Sequence, residues 1–261
     1  MNSARTLLFG IFVLASRKLT AAQAIALAKP LRLSATNVKS HLTRMVAEGA
    51  LQRSGPVRRM VYWPSASQSG VVEGITARLA ETRSETWDRT WLILTLQMPS
   101  NRRQRDRLRA SMWFDGFRPI APGTFVRPAW PLGWALRKAQ HYLATSGGTF
   151  MRGEFLGAAA ATHASALYDL DSLNREALRL ARWIMRMRIP TNSSNAAAFA
   201  MRLKVGGLVA RLVGHDPRLP AAIWAKRNGM RELIRTFRKF DARIAPLSQQ
   251  FVTEIIRTTQ R

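Results

Sequence analysis

Ser34-Ala35-Thr36-Asn37-Val38-Lys39-Ser40-His41-Leu42-Thr43-Arg44-Met45-Val46-Ala47-Glu48-Gly49 is the stretch on which the reading of this chain turns. At about 100° per residue, Ala35, Val38, Leu42, Met45 and Val46 fall in one sector and form a core-facing stripe. Ser34 can cap such a helix, and Gly49 can supply the left-handed residue that ends it. The opposite sector holds Thr36, Asn37, Ser40, Thr43 and Arg44, with Lys39 on the flank. Short hydrogen-bonding side chains and one guanidinium can reach base edges while the helix lies in a major groove.

Working outward, the segment on either side completes a small head. Ser3 can cap a helix running to about Arg17, and Thr20 a second over Ala21 to about Ala28, stopped near Pro30. After the third helix, Leu51 to Ser54, a Gly55-Pro56 turn and Arg58 to Trp63 predict strand, turn, strand. Arg53, Arg58 and Arg59 then sit where a wing meets phosphates, with Lys39 beside them; such contacts supply affinity rather than sequence choice. Residues 1–65 carry 10 basic and 1 acidic side chains, and the pattern is that of a winged helix-turn-helix. A competing reading takes Arg5, the apolar Leu7 to Ala15 and the small Ala15-Ser16 as a secretory leader. Arg17 and Lys18 are unhelpful to cleavage there, and the same apolar residues are needed for the first helix.

Pro64 to Gly70 predicts a loose start to a linker over 66–86, because Ser, Gly and Pro offer no packing face. Beyond it, Trp91 to Leu96 reads as a strand, Asn101 to Asp115 as a helix, Phe117 to Ile120 and Thr124 to Arg127 as strands. Leu132 to Ala144 reads as a helix and Thr149 to Leu156 as a last strand. The order β-α-β-β-α-β over 87–157 is the ferredoxin-like arrangement. Breaks are expected at Gly157 to Ser165 and at Pro190 to Asn195, and 166–261 reads as helices only. The fold class expected is therefore α+β, with a winged helix-turn-helix, a ferredoxin-like middle and an all-helical end.

Composition narrows the chemistry. The 261 residues hold 41 Lys and Arg against 15 Asp and Glu, a net charge of +26 that favours polyanionic partners. There is no cysteine, which excludes catalytic thiols, disulfides, iron–sulfur clusters and thiolate zinc sites. No uncharged run reaches the roughly 18 apolar residues of a membrane-spanning helix. The four histidines lack metal-ligand spacing, and His215-Asp216 before Pro217 reads as a helix end rather than part of a triad. The first middle strand ends Leu96-Gln97-Met98-Pro99 without the carboxylate a metal nuclease needs, and Asp88 lies before that strand. Neither a catalytic residue, a metal site nor a cofactor is expected. Arg175, Arg179, Arg182 and Arg186, spaced four, three and four, share one helix face and could meet an anion or phosphate-bearing ligand. Arg102, Arg103, Arg105, Arg107 and Arg109, offset by Asp106, read as a solvated or partner-facing helix.

Several of these pieces, in this order, resemble the PaaX family of bacterial repressors of phenylacetate degradation. They are the Ser3-Ala4-Arg5 start with the helix-turn-helix, Trp87-Asp88-Arg89-Thr90-Trp91, and Gly116-Phe117-Arg118-Pro119-Ile120-Ala121-Pro122-Gly123-Thr124-Phe125-Val126. Tyr168-Asp169-Leu170 and Asp216-Pro217-Arg218-Leu219-Pro220 followed by Trp224 continue the likeness. The resemblance implies a Cas2-like middle domain and a cytoplasmic, nucleoid-associated homodimer that binds double-stranded DNA as a transcriptional repressor. It also implies an aryl-acyl-CoA thioester as the effector that lifts repression, with no membrane partner. Lys204-Val205-Gly206-Gly207-Leu208 departs from the family, lacking its His and Tyr. A non-specific or accessory nucleic-acid-binding protein, of the compaction or CRISPR-associated kind, is the alternative.

Overall fold

Three side-chain caps set the start of the first three helices in the computed structural model, which describes residues 3–56, 59–80, 86–154, 167–189, 194–220, 222–223 and 228–259. Ser3 accepts from the Thr6 amide to open α1 (Ala4–Ala15). Thr20 and Gln23 form a reciprocal capping box that opens α2 (Ala21–Ala28), satisfying two orphan amides at once. Ser34 accepts from the Asn37 amide at the start of α3 (Ala35–Ala47). The chain folds as two compact units, one of Met1–Glu81, Arg179–Val213 and Glu232–Arg261, the other of Thr82–Leu178 and Gly214–Arg231.

In the first unit, α1, α2 and α3 bury Leu7, Leu8, Ile11, Phe12, Leu27, Val38, Leu42 and Met45 in one core. The apolar run Leu7 to Ala15 thus supplies core side chains. Ala35 departs from the expected stripe: at the first helical position, one turn before the first buried residue, it is exposed. A three-stranded antiparallel sheet in the order β1-β3-β2 closes the head, with β1 Leu19–Thr20, β2 Leu51–Ser54 and β3 Val61–Pro64. The two-residue β1, which pairs Leu19 with Tyr62, is absent from the sequence reading because so short a segment has no periodicity to detect. The second hairpin strand begins at Val61 rather than Arg58, so Arg59 lies in the connecting loop, its amide bonded to the Pro56 carbonyl (2.8 Å). Residues 66–86 begin with a helix, α4 (Ala66–Ala80), where a loose linker is expected. Arg78 on α4 is buried and donates to the Val213 carbonyl (2.9 Å), a long-range tie that local composition cannot announce.

The second unit is built on a four-stranded antiparallel sheet, β5-β6-β4-β7. Its elements run β4 (Trp91–Leu96), α5 (Arg102–Phe114), β5 (Arg118–Ala121), β6 (Thr124–Pro128), α6 (Leu132–Ser146) and β7 (Gly148–Gly153). That connectivity and strand order are those of the ferredoxin-like fold. Leu92, Leu94 and Phe125 pack with Met112 of α5 and Ala135, Ala139 and Tyr142 of α6 on one face. Trp91 and Val126 meet Tyr168, Leu170 and Leu219 in a second cluster. Gly116 stands at φ +81°, and a Cβ there would lie 2.4 Å from the Pro217 carbonyl oxygen, so only glycine admits that approach.

The remaining helices are α7 (Leu170–Arg186), α8 (Asn195–His215) and α9 (Gly229–Thr258). The described residues of 167–259 hold helices and no strand, and they are shared between both units. The expected breaks at 157–165 and at 190–193, together with Trp224, lie outside the described residues, while Ser194 accepts from the Ala197 amide (3.2 Å) at the start of α8.

Candidate nucleic-acid interface

Helix α3 is held on one side and bare on the other. Val38 is fully buried, and Leu42 and Met45 are buried to within 1%. Thr36, Asn37, Lys39, Ser40, Thr43 and Arg44 are all exposed, so burial fixes the helix's rotation and delivers these six side chains to solvent together. Thr43 donates its hydroxyl back to the Lys39 carbonyl (3.2 Å), a bond that uses its hydrogen and leaves both lone pairs of the oxygen as acceptors. Glu48, the acid at the C-cap of α3, is paired with Arg5 at 2.7 Å.

Beside α3, the β2–β3 hairpin pairs Gln52 with Trp63 and Arg53 with Tyr62. Trp63 donates to the Gln52 side chain (2.8 Å), and the Lys18 ammonium sits 4.3 Å from the Trp63 ring. A cation held over an indole in this way braces the hairpin. Arg53 and Arg59 are exposed near the hairpin's end; Arg58 lies outside the described residues. Lys18 is the member of this group that the sequence reading did not place here, since it lies between α1 and β1, outside any helix-face period, and meets Trp63 only in the folded chain.

The arginine row of α7 is exposed as expected: Arg179, Arg182 and Arg186 in the first unit, and Arg175 on the part of the helix in the second. Ala181 and Ile184 are buried behind it, while Trp183 and Met185 are exposed beside it. The Arg102 to Arg109 cluster lies along α5, with Arg102, Arg103, Arg107 and Arg109 exposed and Arg105 bonded to the Pro99 carbonyl (3.0 Å).

Not every cation faces outward. Arg78, Arg118, Arg127 and Arg218 are buried, so composition overstates the surface charge. Arg127 donates to the carbonyls of Asp115, Pro128 and Trp130, and its guanidinium lies 4.4 Å from the Trp134 ring. Arg118 lies 3.5 Å from the Trp113 ring centroid and bonds the Trp113 and Phe117 carbonyls; burial pushes its guanidinium down to about 10. These side chains tie the ends of β5 and β6 to neighbouring backbone, a use that sequence charge counting cannot separate from a surface role. Asp88 is likewise occupied: the Thr90 hydroxyl donates to it (2.7 Å) and Arg152 pairs with it, which together hold its carboxyl below the usual range. Asp216, after the end of α8, accepts from the Arg218 amide (2.8 Å). Among the described residues no group of His, Asp and Glu is placed to hold a metal ion, and no helix is long and apolar enough to cross a membrane.

The sheet and its two helices define the second unit's core as a ferredoxin-like domain of the Cas2 type. More particularly, residues 84–164 match the family model described as the PaaX protein central Cas2-like domain. Among solved structures, the chain is similar to the uncharacterized protein Rv0674 from Mycobacterium tuberculosis, with a TM-score of 0.58 and 22% identity. That similarity covers 95% of this chain and 98% of the other, so it extends the shared fold to both ends. None of the curated proteins compared matches the chain.

Proposed function

We propose that this protein is a sequence-specific DNA-binding transcriptional regulator whose residues 1–65 act as a winged helix-turn-helix. The observation that carries the reading is α3: buried on Val38, Leu42 and Met45, it presents Thr36, Asn37, Ser40, Thr43 and Arg44 as one exposed polar face. In this reading those five side chains read bases, and Lys39, Arg53, Arg58 and Arg59 take phosphates. The chain works as a homodimer on related half-sites in the bacterial cytoplasm, bound to the nucleoid, and represses an aromatic-acid catabolic operon. An acyl-CoA thioester releases it, its phosphates meeting the α7 arginines Arg175, Arg179, Arg182 and Arg186. No chemistry is catalysed.

Gel shifts and footprinting on the DNA flanking its own gene, with and without a panel of acyl-CoA thioesters, test this. One bounded protected site that a thioester abolishes is the expected result. Uniform protection along the duplex would replace it with the accessory nucleic-acid-binding reading, which the surplus of cations outside residues 1–65 favours.

A further inference from the structure

Helix α9 carries a second row of cations that the reading above leaves unused. Arg235, Lys239 and Arg243 recur every four residues and are exposed, while Leu233, Phe240, Ile244 and Ser248 on the other side are buried. The buried seam sets the helix's rotation, and Arg238 pins it by donating to the Leu79 carbonyl (2.6 Å). The row therefore faces solvent as a fixed rank, about 12 Å long at the helical rise.

Asp241, the carboxylate within this stretch, is turned to Arg202, which grips both its oxygens at 2.7 and 3.1 Å. Like charges at this spacing oppose one another. The compact unit that holds α9 also holds α3, and it carries 24 Lys and Arg against 6 Asp and Glu, a balance of +18. The exposed large apolar residues lie on other elements, with Trp183 and Met185 on α7, and none on α9. A protein partner or a bilayer would want such anchors. A duplex backbone wants charge alone, and 12 Å of its axis carries about three to four phosphates per strand.

We infer that Arg235, Lys239 and Arg243 of α9 form a second DNA-backbone surface, which takes phosphates of the duplex flanking the segment read by α3. The inference rests on the DNA-binding reading above and adds to it a sequence-independent contact. It makes affinity depend on duplex length, since the flanks must be present to be held.

The test compares the full-length protein with the triple variant R235Q/K239Q/R243Q and the charge-retaining R235K/R243K. Binding to a long duplex, and to the same duplex trimmed to the footprint, is measured between 50 and 200 mM salt. Three lost phosphate contacts lower the slope of log affinity against log salt by about 2.7, so the natural protein loses about 40-fold more affinity across that range than the triple variant. The charge-retaining variant keeps the natural slope, trimming brings the natural protein to the triple variant's slope, and the footprint keeps its position. Circular dichroism confirms that both variants fold. An unchanged slope in the folded triple variant overturns this inference alone if the natural protein still gives a bounded footprint. Anionic vesicles that bind the natural protein and not the triple variant, with the DNA slope unchanged, would reassign the row to a membrane surface. Failure of the natural protein to bind any duplex would overturn both readings.

Discussion

Arg44→Ala separates base reading from backbone attraction. Arg44 is exposed on α3 and makes no ion pair among the described residues, and alanine is at least as good a helix former, so the fold should not notice. An exposed change of this kind moves stability by no more than about 0.5 kcal/mol. A guanidinium reading guanine contributes about 1–3 kcal/mol of discrimination, which is roughly a 5- to 150-fold loss at the operator. Random duplex, where Arg44 meets at most a phosphate, should lose far less. The assay is paired titration of operator and scrambled duplex at fixed salt, with thermal melting as the control for folding. Arg53→Ala is the contrast: affinity for both duplexes falls together, and the salt slope falls by about one unit. If Arg44→Ala weakens both duplexes equally while the melting temperature holds, Arg44 does not read bases and the assignment of α3 is wrong.

Three further outcomes follow from the packing. Leu42→Ala removes a side chain buried to 1% at the centre of the first unit and should cost about 2–5 kcal/mol, seen as a lowered denaturation midpoint with loss of DNA binding. Gly116→Ala forces a Cβ against the Pro217 carbonyl at a left-handed φ and should destabilise the second unit by more than about 1 kcal/mol, whereas Gly49→Ala, with open space around its Cβ, should cost only its backbone strain. Alkaline pH should also weaken the fold. Burial holds the Tyr168 phenol up to about 12, and burial together with the Asp115 charge raises Tyr142 as well. Both phenols keep their protons in the folded chain when the unfolded chain has lost them, so their stabilisation is complete below about pH 10 and falls as pH rises beyond it. Arg118, held down to about 10, acts in the opposite sense over the same window, so two losses meet one gain. Melting at pH 11 should lie below melting at pH 9; a rise would refute the balance.

Local regularities carried much of this molecule. The three capping residues Ser3, Thr20 and Ser34, the span of α2, the run Trp91 to Leu96 and the β-α-β-β-α-β order were all legible, because each is decided by neighbours within a few residues. The polar face of α3 was legible for the same reason: a period fixes which side chains share a side. The two-residue β1 was not, since it exists only by pairing with β3 across some forty residues of chain. Nor was the helix over Ala66–Ala80, where Ser and Gly argued for a loose segment and a distant carbonyl at Val213 accepts from Arg78. Charge was the term most altered by tertiary structure. Sequence counted 41 cations alike, but folding buries Arg78, Arg118, Arg127 and Arg218 against carbonyls and rings, pairs Arg202 with Asp241, and leaves Arg235, Lys239 and Arg243 standing in water. Periodicity along one element is a property of the chain; which charges are desolvated depends on what the rest of the chain brings beside them, and that was decided only when it folded.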